Sequence, residues 1–128
     1  MFPALLVFVG AGLGGLVRHL FNLAGLRLLG LVDFPYVTMF INVLGCFIMG
    51  LATIWFATRS GMSWAQPTRL FLTTGVLGGF TTFSTFSLEF ALLMERGAWG
   101  YAAAYAIGSL VLCILAVLAG MALMRAIA

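Results

Sequence analysis

Long apolar runs separated by short polar links dominate this chain, and their lengths predict four membrane-crossing helices. About 20 consecutive, mostly apolar residues suffice to cross a bilayer as a helix. The runs cover residues 4–29, 37–58, 70–94 and 100–124. Asp33-Phe34-Pro35 marks the first link, since proline drives its predecessor out of helical geometry. A polar stretch from Arg59 to Arg69 makes the second link, and Glu95-Arg96-Gly97 a tight third turn. The first run has no basic residue ahead of it and outlasts a signal-peptide core, so it is expected to remain as a span. The spans leave no room for a separate soluble domain within residues 1–128, which are expected to form a single transmembrane domain.

The third run departs from a plain lipid anchor. Its segment Gly75–Ser87, GVLGGFTTFSTFS, mixes glycine, hydroxyl and phenylalanine side chains. Gly75, Gly78 and Gly79 are expected to interrupt the helix and turn backbone carbonyls away from their usual partners. Thr81, Thr82, Ser84, Thr85 and Ser87 add dipoles that hydrocarbon disfavours. Phe80, Phe83 and Phe86 recur every third residue, so an unbroken helix would carry them on one stripe. Such a segment suits a pathway or binding site for a small ion, although a phenylalanine stripe alone would be ordinary packing.

Composition agrees with the membrane reading: 64% of residues are hydrophobic and 7% charged. All six basic side chains are arginine, and three acids leave a net charge of +3. Scattered arginines form no basic patch, which excludes nucleic acid as a partner. Arg59, Arg69 and Arg125 lie towards one side of the predicted spans and Arg27 and Arg96 towards the other. So small a bias specifies orientation weakly, leaving open both a single orientation and insertion both ways up.

Catalysis is not expected, because the one histidine, His19, has no nucleophile–acid arrangement around it. Cys46 and Cys113 fall inside spans and read as small apolar side chains, implying neither disulfide nor metal site. Arg18 lies deep enough in the first span to require the interior, a wet vestibule or a carboxylate such as Glu89. It serves either as an ion-pair member or as an electrostatic lure for an anion. Asn42, with Thr38 one turn earlier, could present donors to an anion or cross-link helices. Tyr105 and Ser109 stack one turn apart in the fourth span, as a polar track or as interhelical hydrogen bonds. Aromatic edges are electropositive and would solvate an anion weakly, as conduction requires.

These residues together resemble the Fluc/CrcB family of fluoride channels. The resemblance covers nearly the whole chain, through GGLVRHL (Gly14–Leu20), TMFINVLGCFIMG (Thr38–Gly50) and above all GVLGGFTTFSTFS. It implies an all-α membrane protein with a broken third helix, assembled as an antiparallel dual-topology homodimer with two fluoride pathways. It implies residence in a cell membrane, the bacterial inner membrane, surrounded by lipid. By motif, Phe83, Phe86 and Asn42 would line the pore, Arg18 the vestibule, and Tyr105 and Ser109 the polar positions of the fourth span. The residue reading adds Thr38, Ser84 and Thr85 to the fluoride pathway. The resemblance further implies a structural sodium ion at the dimer centre, held by the Gly78 and Thr81 carbonyls of both copies. Glu89 matches the family's acid after STFS, and Cys113 stands where some relatives carry another serine.

Two other readings compete. A small proton-coupled multidrug exporter would need an intramembrane carboxylate free to exchange protons. The first span carries no acid, and Glu89 lies towards the end of the third. A non-transporting assembly subunit would leave the third-span motif unexplained.

Overall fold

The computed structural model describes Met1–Ala128 and is helical throughout. Helix α1 spans Phe2–Leu29, starting where Pro3 occupies a first-turn position that needs no N–H donor. It stops at Gly30, whose φ of 69° turns the chain out of the helix. Helix α2 spans Tyr36–Ala57. The third span begins as a short α-helix, Ala65–Arg69, widens into a π-helical stretch, Leu70–Leu77, and closes with a turn, Gly78–Phe80. These three pieces are together called α3. Helix α4, Phe83–Glu95, completes the third span, and α5 is Trp99–Ile127. All four spans are long and apolar enough to cross a membrane, and the chain is a multi-pass membrane protein.

The helices pack in two pairs, α1 on α3 and α2 on α5. Both pairs depend on missing side chains. A Cβ on Gly10 would lie 2.9 Å from Gly75 Cα, and one on Gly14 would strike the Val76 carbonyl. One on Gly79 would strike the Ala11 carbonyl. Gly50 likewise abuts the Val117 carbonyl, and Gly120 the Phe47 carbonyl. With no hydrophobic effect between helices in lipid, such close backbone approach supplies the dispersion contact that holds them.

The glycines expected to break the third span therefore do something else. Gly75, Gly78 and Gly79 are helical; the break falls at Thr81–Thr82, where both residues are extended. That break also corrects the expected phenylalanine stripe. Phe80 precedes it and is buried, its ring edge-on to Phe21 at 5.4 Å. Phe83 and Phe86 follow it on α4, with ring centroids 5.4 Å apart.

Only 17 of the 128 residues are buried, so most of the apolar surface must be covered by lipid or by another protein surface. One buried cluster, Leu93, Ala102 and Tyr105, joins α4 to α5 and is flanked by Phe34, Phe86 and Phe90. The opposite end closes around Ala52, Phe56 and Ala65.

Candidate functional site

The break is built by a side chain from another helix. Asn42 on α2 donates from Nδ2 to the Thr82 carbonyl at 3.0 Å, and its Oδ1 accepts from the Thr82 N–H at 2.8 Å. One amide thus satisfies both backbone groups of an extended residue, as a neighbouring strand would. Thr82 then caps α4, its Oγ1 accepting from the Thr85 N–H at 3.2 Å. The same oxygen contacts the Thr85 hydroxyl at 3.1 Å and that of Ser84 at 3.2 Å.

This rearrangement strips two carbonyls of their helical donors. In an unbroken helix the Thr82 N–H would serve Gly78, and the Thr85 N–H would serve Thr81. Here the first goes to Asn42 and the second to Thr82 Oγ1. The Thr81 hydroxyl reaches back to the Leu77 carbonyl at 2.9 Å. Gly78 is exposed, and a Cβ there would approach nothing nearer than the Thr73 carbonyl at 3.7 Å. Unlike Gly75 and Gly79, Gly78 is not required by packing within the chain.

Two cavities flank the break, and Thr82 lines both. The first, about 490 Å³, is bordered by Asn42, Thr81, Phe83, Phe86 and Ser109. The second, about 290 Å³ and nearly all polar, is bordered by Arg18, His19, Asn22, Thr38 and Thr85. Within the first cavity's wall, Ser109 Oγ is the one buried side-chain polar atom with no hydrogen-bond partner. A buried hydroxyl without a partner costs roughly 1–3 kcal/mol, so its presence calls for an explanation.

Tyr105 and Thr38 are placed differently from the rest of the candidate set. Both are buried and both bind Glu89: Tyr105 Oη donates to Oε2 at 2.6 Å, and Thr38 Oγ1 donates to Oε1 at 2.8 Å. The expected Arg18–Glu89 pair is absent: Glu89 is held by this clamp, and Arg18 lines the polar cavity instead. The chain's one salt bridge joins Arg96 to Asp33 at 3.8 Å, in the exposed loops. Phe86 leans on the Tyr105 ring with centroids 4.9 Å apart, so the clamp also backs the cavity wall.

The structure thus gathers Asn42, Thr81, Phe83, Phe86 and Ser109 around one cavity and Arg18, Thr38 and Thr85 around the other. Ser84 is exposed beside the break, and Tyr105 stands behind the wall. Sequence reasoning missed the part played by Thr82. Its one local signal was a threonine three residues before another hydroxyl residue, a weak helix-start pattern.

Comparison with known proteins places this architecture. A family described as CrcB-like protein, Camphor Resistance (CrcB), matches residues 5–121. The chain is 59% identical to the fluoride-specific ion channel FluC of Methylobacterium nodulans, over 98% of each chain. It is 56% identical to the protein of that name from Rhodopseudomonas palustris strain BisB5, over 96% of this chain and 97% of the relative. It is 51% identical to the one from Granulibacter bethesdensis, over 98% and 96% respectively.

Proposed function

Because the chain belongs to the CrcB family, we propose that it is a passive, fluoride-selective ion channel that lets cytoplasmic fluoride leave the cell. The single observation that carries this reading is the unpartnered Ser109 hydroxyl in a mainly apolar cavity that also presents Phe83, Phe86 and the Asn42 amide. A small, strongly hydrated anion needs O–H and N–H donors to replace its water. Ser109 supplies a donor that the protein leaves free. The edges of Phe83 and Phe86 supply weak positive potential without the full charge that would trap the ion. Arg18, with Thr38 and Thr85 beside it, raises the local anion concentration in the adjoining polar cavity. Ser84 sits at the exposed end of the Thr82 hydroxyl cluster, and Tyr105 stiffens the wall through Glu89.

Energy for export comes from the cell's own gradients. Hydrogen fluoride crosses bilayers when neutral and dissociates in a near-neutral cytoplasm, trapping the anion. An inside-negative potential drives a monovalent anion outward by about 2.3 kcal/mol per 100 mV. The exporter alternative is disfavoured by the match to relatives named fluoride-specific ion channels over nearly the whole chain.

The working assembly in this reading is an antiparallel dual-topology homodimer in the bacterial inner membrane. Its support is the large uncovered apolar surface, the near-even arginine distribution and the exposed, sterically unneeded Gly78. A structural sodium ion at the dimer centre would be held by the Gly78 and Thr81 carbonyls of both copies. These are the two carbonyls whose helical donors are diverted at the break, and hard oxygen ligands of this kind suit an alkali cation.

Fluoride release from liposomes containing the purified protein, with chloride release as the paired control, tests the proposal. Fast fluoride release with little chloride is expected. Release of neither ion, or of both equally, would overturn it.

A further inference from the structure

Cys46 on α2 and Cys113 on α5 lie 67 positions apart in the chain, yet the fold sets them side by side. Backbone contact fixes their positions. Gly50 touches the Val117 carbonyl one turn beyond each cysteine, and Gly120 touches the Phe47 carbonyl. Cys46 and Cys113 therefore stand at the same level on facing helices, each one turn before the Gly50–Val117 approach. Both thiols are free, both residues are half-buried, and both line the cavity that contains Ser109 and Phe86. The sequence expectation treated each as an isolated apolar side chain; packing makes them a pair.

We propose that Cys46 and Cys113 form a two-thiolate binding site for a soft divalent cation of the mercuric type, set in the wall of this cavity. Thiolates are the ligands that soft metals select. A mercuric ion is satisfied by two sulfur ligands, the number this cavity wall offers. No cluster of three or more histidine, cysteine or acidic side chains exists in the chain, so a four-coordinate zinc centre is excluded. Charge favours a divalent ion. Each thiol releases its proton to water, two sulfur–metal bonds form, and no electrons are transferred. The product is neutral, whereas a monovalent ion on two thiolates would leave a net negative charge in a low-dielectric span. Helices α2 and α5 hold the sulfurs in place beforehand, so little ordering is needed on binding.

The bound ion would sit one helical turn from Ser109, which lies four residues before Cys113. It would therefore obstruct the proposed fluoride route; this consequence, unlike the binding itself, rests on the channel reading.

The test is a titration of purified protein with mercuric chloride, followed by counting free thiols and weighing the intact chain. One equivalent is expected to consume both thiols and add one metal ion per chain. Cys46→Ser and Cys113→Ser should each lose this tight one-to-one binding, by at least about a hundredfold in affinity, or two factors of ten. Two metal ions per chain, or thiols still reactive after one equivalent, would overturn the site. In liposomes, one equivalent should suppress fluoride release by more than about tenfold. A dithiol chelator should restore release, and Cys113→Ser should resist the block. One-to-one binding with undiminished fluoride release would uphold the site while overturning its position on the route.

Discussion

Asn42 and Thr82, 40 residues apart, exchange two hydrogen bonds through which a side-chain amide replaces a missing turn of helix. The break in the third span is therefore a tertiary feature. Asn42→Ala would leave a backbone N–H and a carbonyl unsatisfied in the membrane, at roughly 1–3 kcal/mol each. The expected result is a lower unfolding temperature in detergent together with loss of fluoride release. A variant with wild-type thermal stability would show that the break holds without Asn42.

Ser109→Ala should behave in the opposite sense for stability. It deletes a buried hydroxyl that has no partner, so unfolding temperature should hold or rise. Fluoride release should fall by about tenfold, the equivalent of roughly 1.4 kcal/mol at the barrier. Unchanged release would remove Ser109 from the route.

Phe86→Ile keeps apolar bulk but discards the electropositive ring edge. Fluoride release should drop while the chain still elutes as the same oligomer on size exclusion. Because Phe86 also leans on Tyr105, a change in oligomer would indicate a packing role instead.

Gly14→Ala and Gly12→Ala form a matched pair. The first drives a methyl group into the Val76 carbonyl, and the second meets nothing within 4 Å. Gly14→Ala should destabilise the protein by several kcal/mol, about the cost of severe overpacking, whereas Gly12→Ala should be near neutral. Thermal unfolding of both variants in one detergent checks the contrast.

Exhaustive replacement of sodium by a bulky organic cation should reduce fluoride release if the Gly78 and Thr81 carbonyls hold an ion. Unchanged release after such replacement would count against that site. Restoration on adding sodium back separates a bound ion from simple loss of protein.

How much of this was legible in the sequence follows from the range of each interaction. Span positions were clear because hydrophobic runs are local; the predicted and observed ends differ by a few residues, apart from the early start of the third span at Ala65. The break was sensed but misplaced. Glycine suggested local weakness near Gly75–Gly79, whereas the actual cause, Asn42, sits on another helix. Tyr105 and Ser109 were correctly seen as stacked neighbours, yet their separate fates could not be read from spacing. Tyr105 is engaged by Glu89, 16 residues away, and Ser109 is left without a partner. The thiol pair was illegible for the same reason, since only helix packing sets Cys46 against Cys113.

The pairing of α1 with α3 and of α2 with α5 carries a consequence for biogenesis. Both extensive pairings join spans that are not consecutive in the chain, so the main contacts of the bundle cannot form hairpin by hairpin as the spans leave the ribosome. The first helix must reside in lipid with Arg18 and its row of bare glycines until the third has been synthesised. The second helix must wait for the fifth, so the bundle can close only once the whole chain has been made.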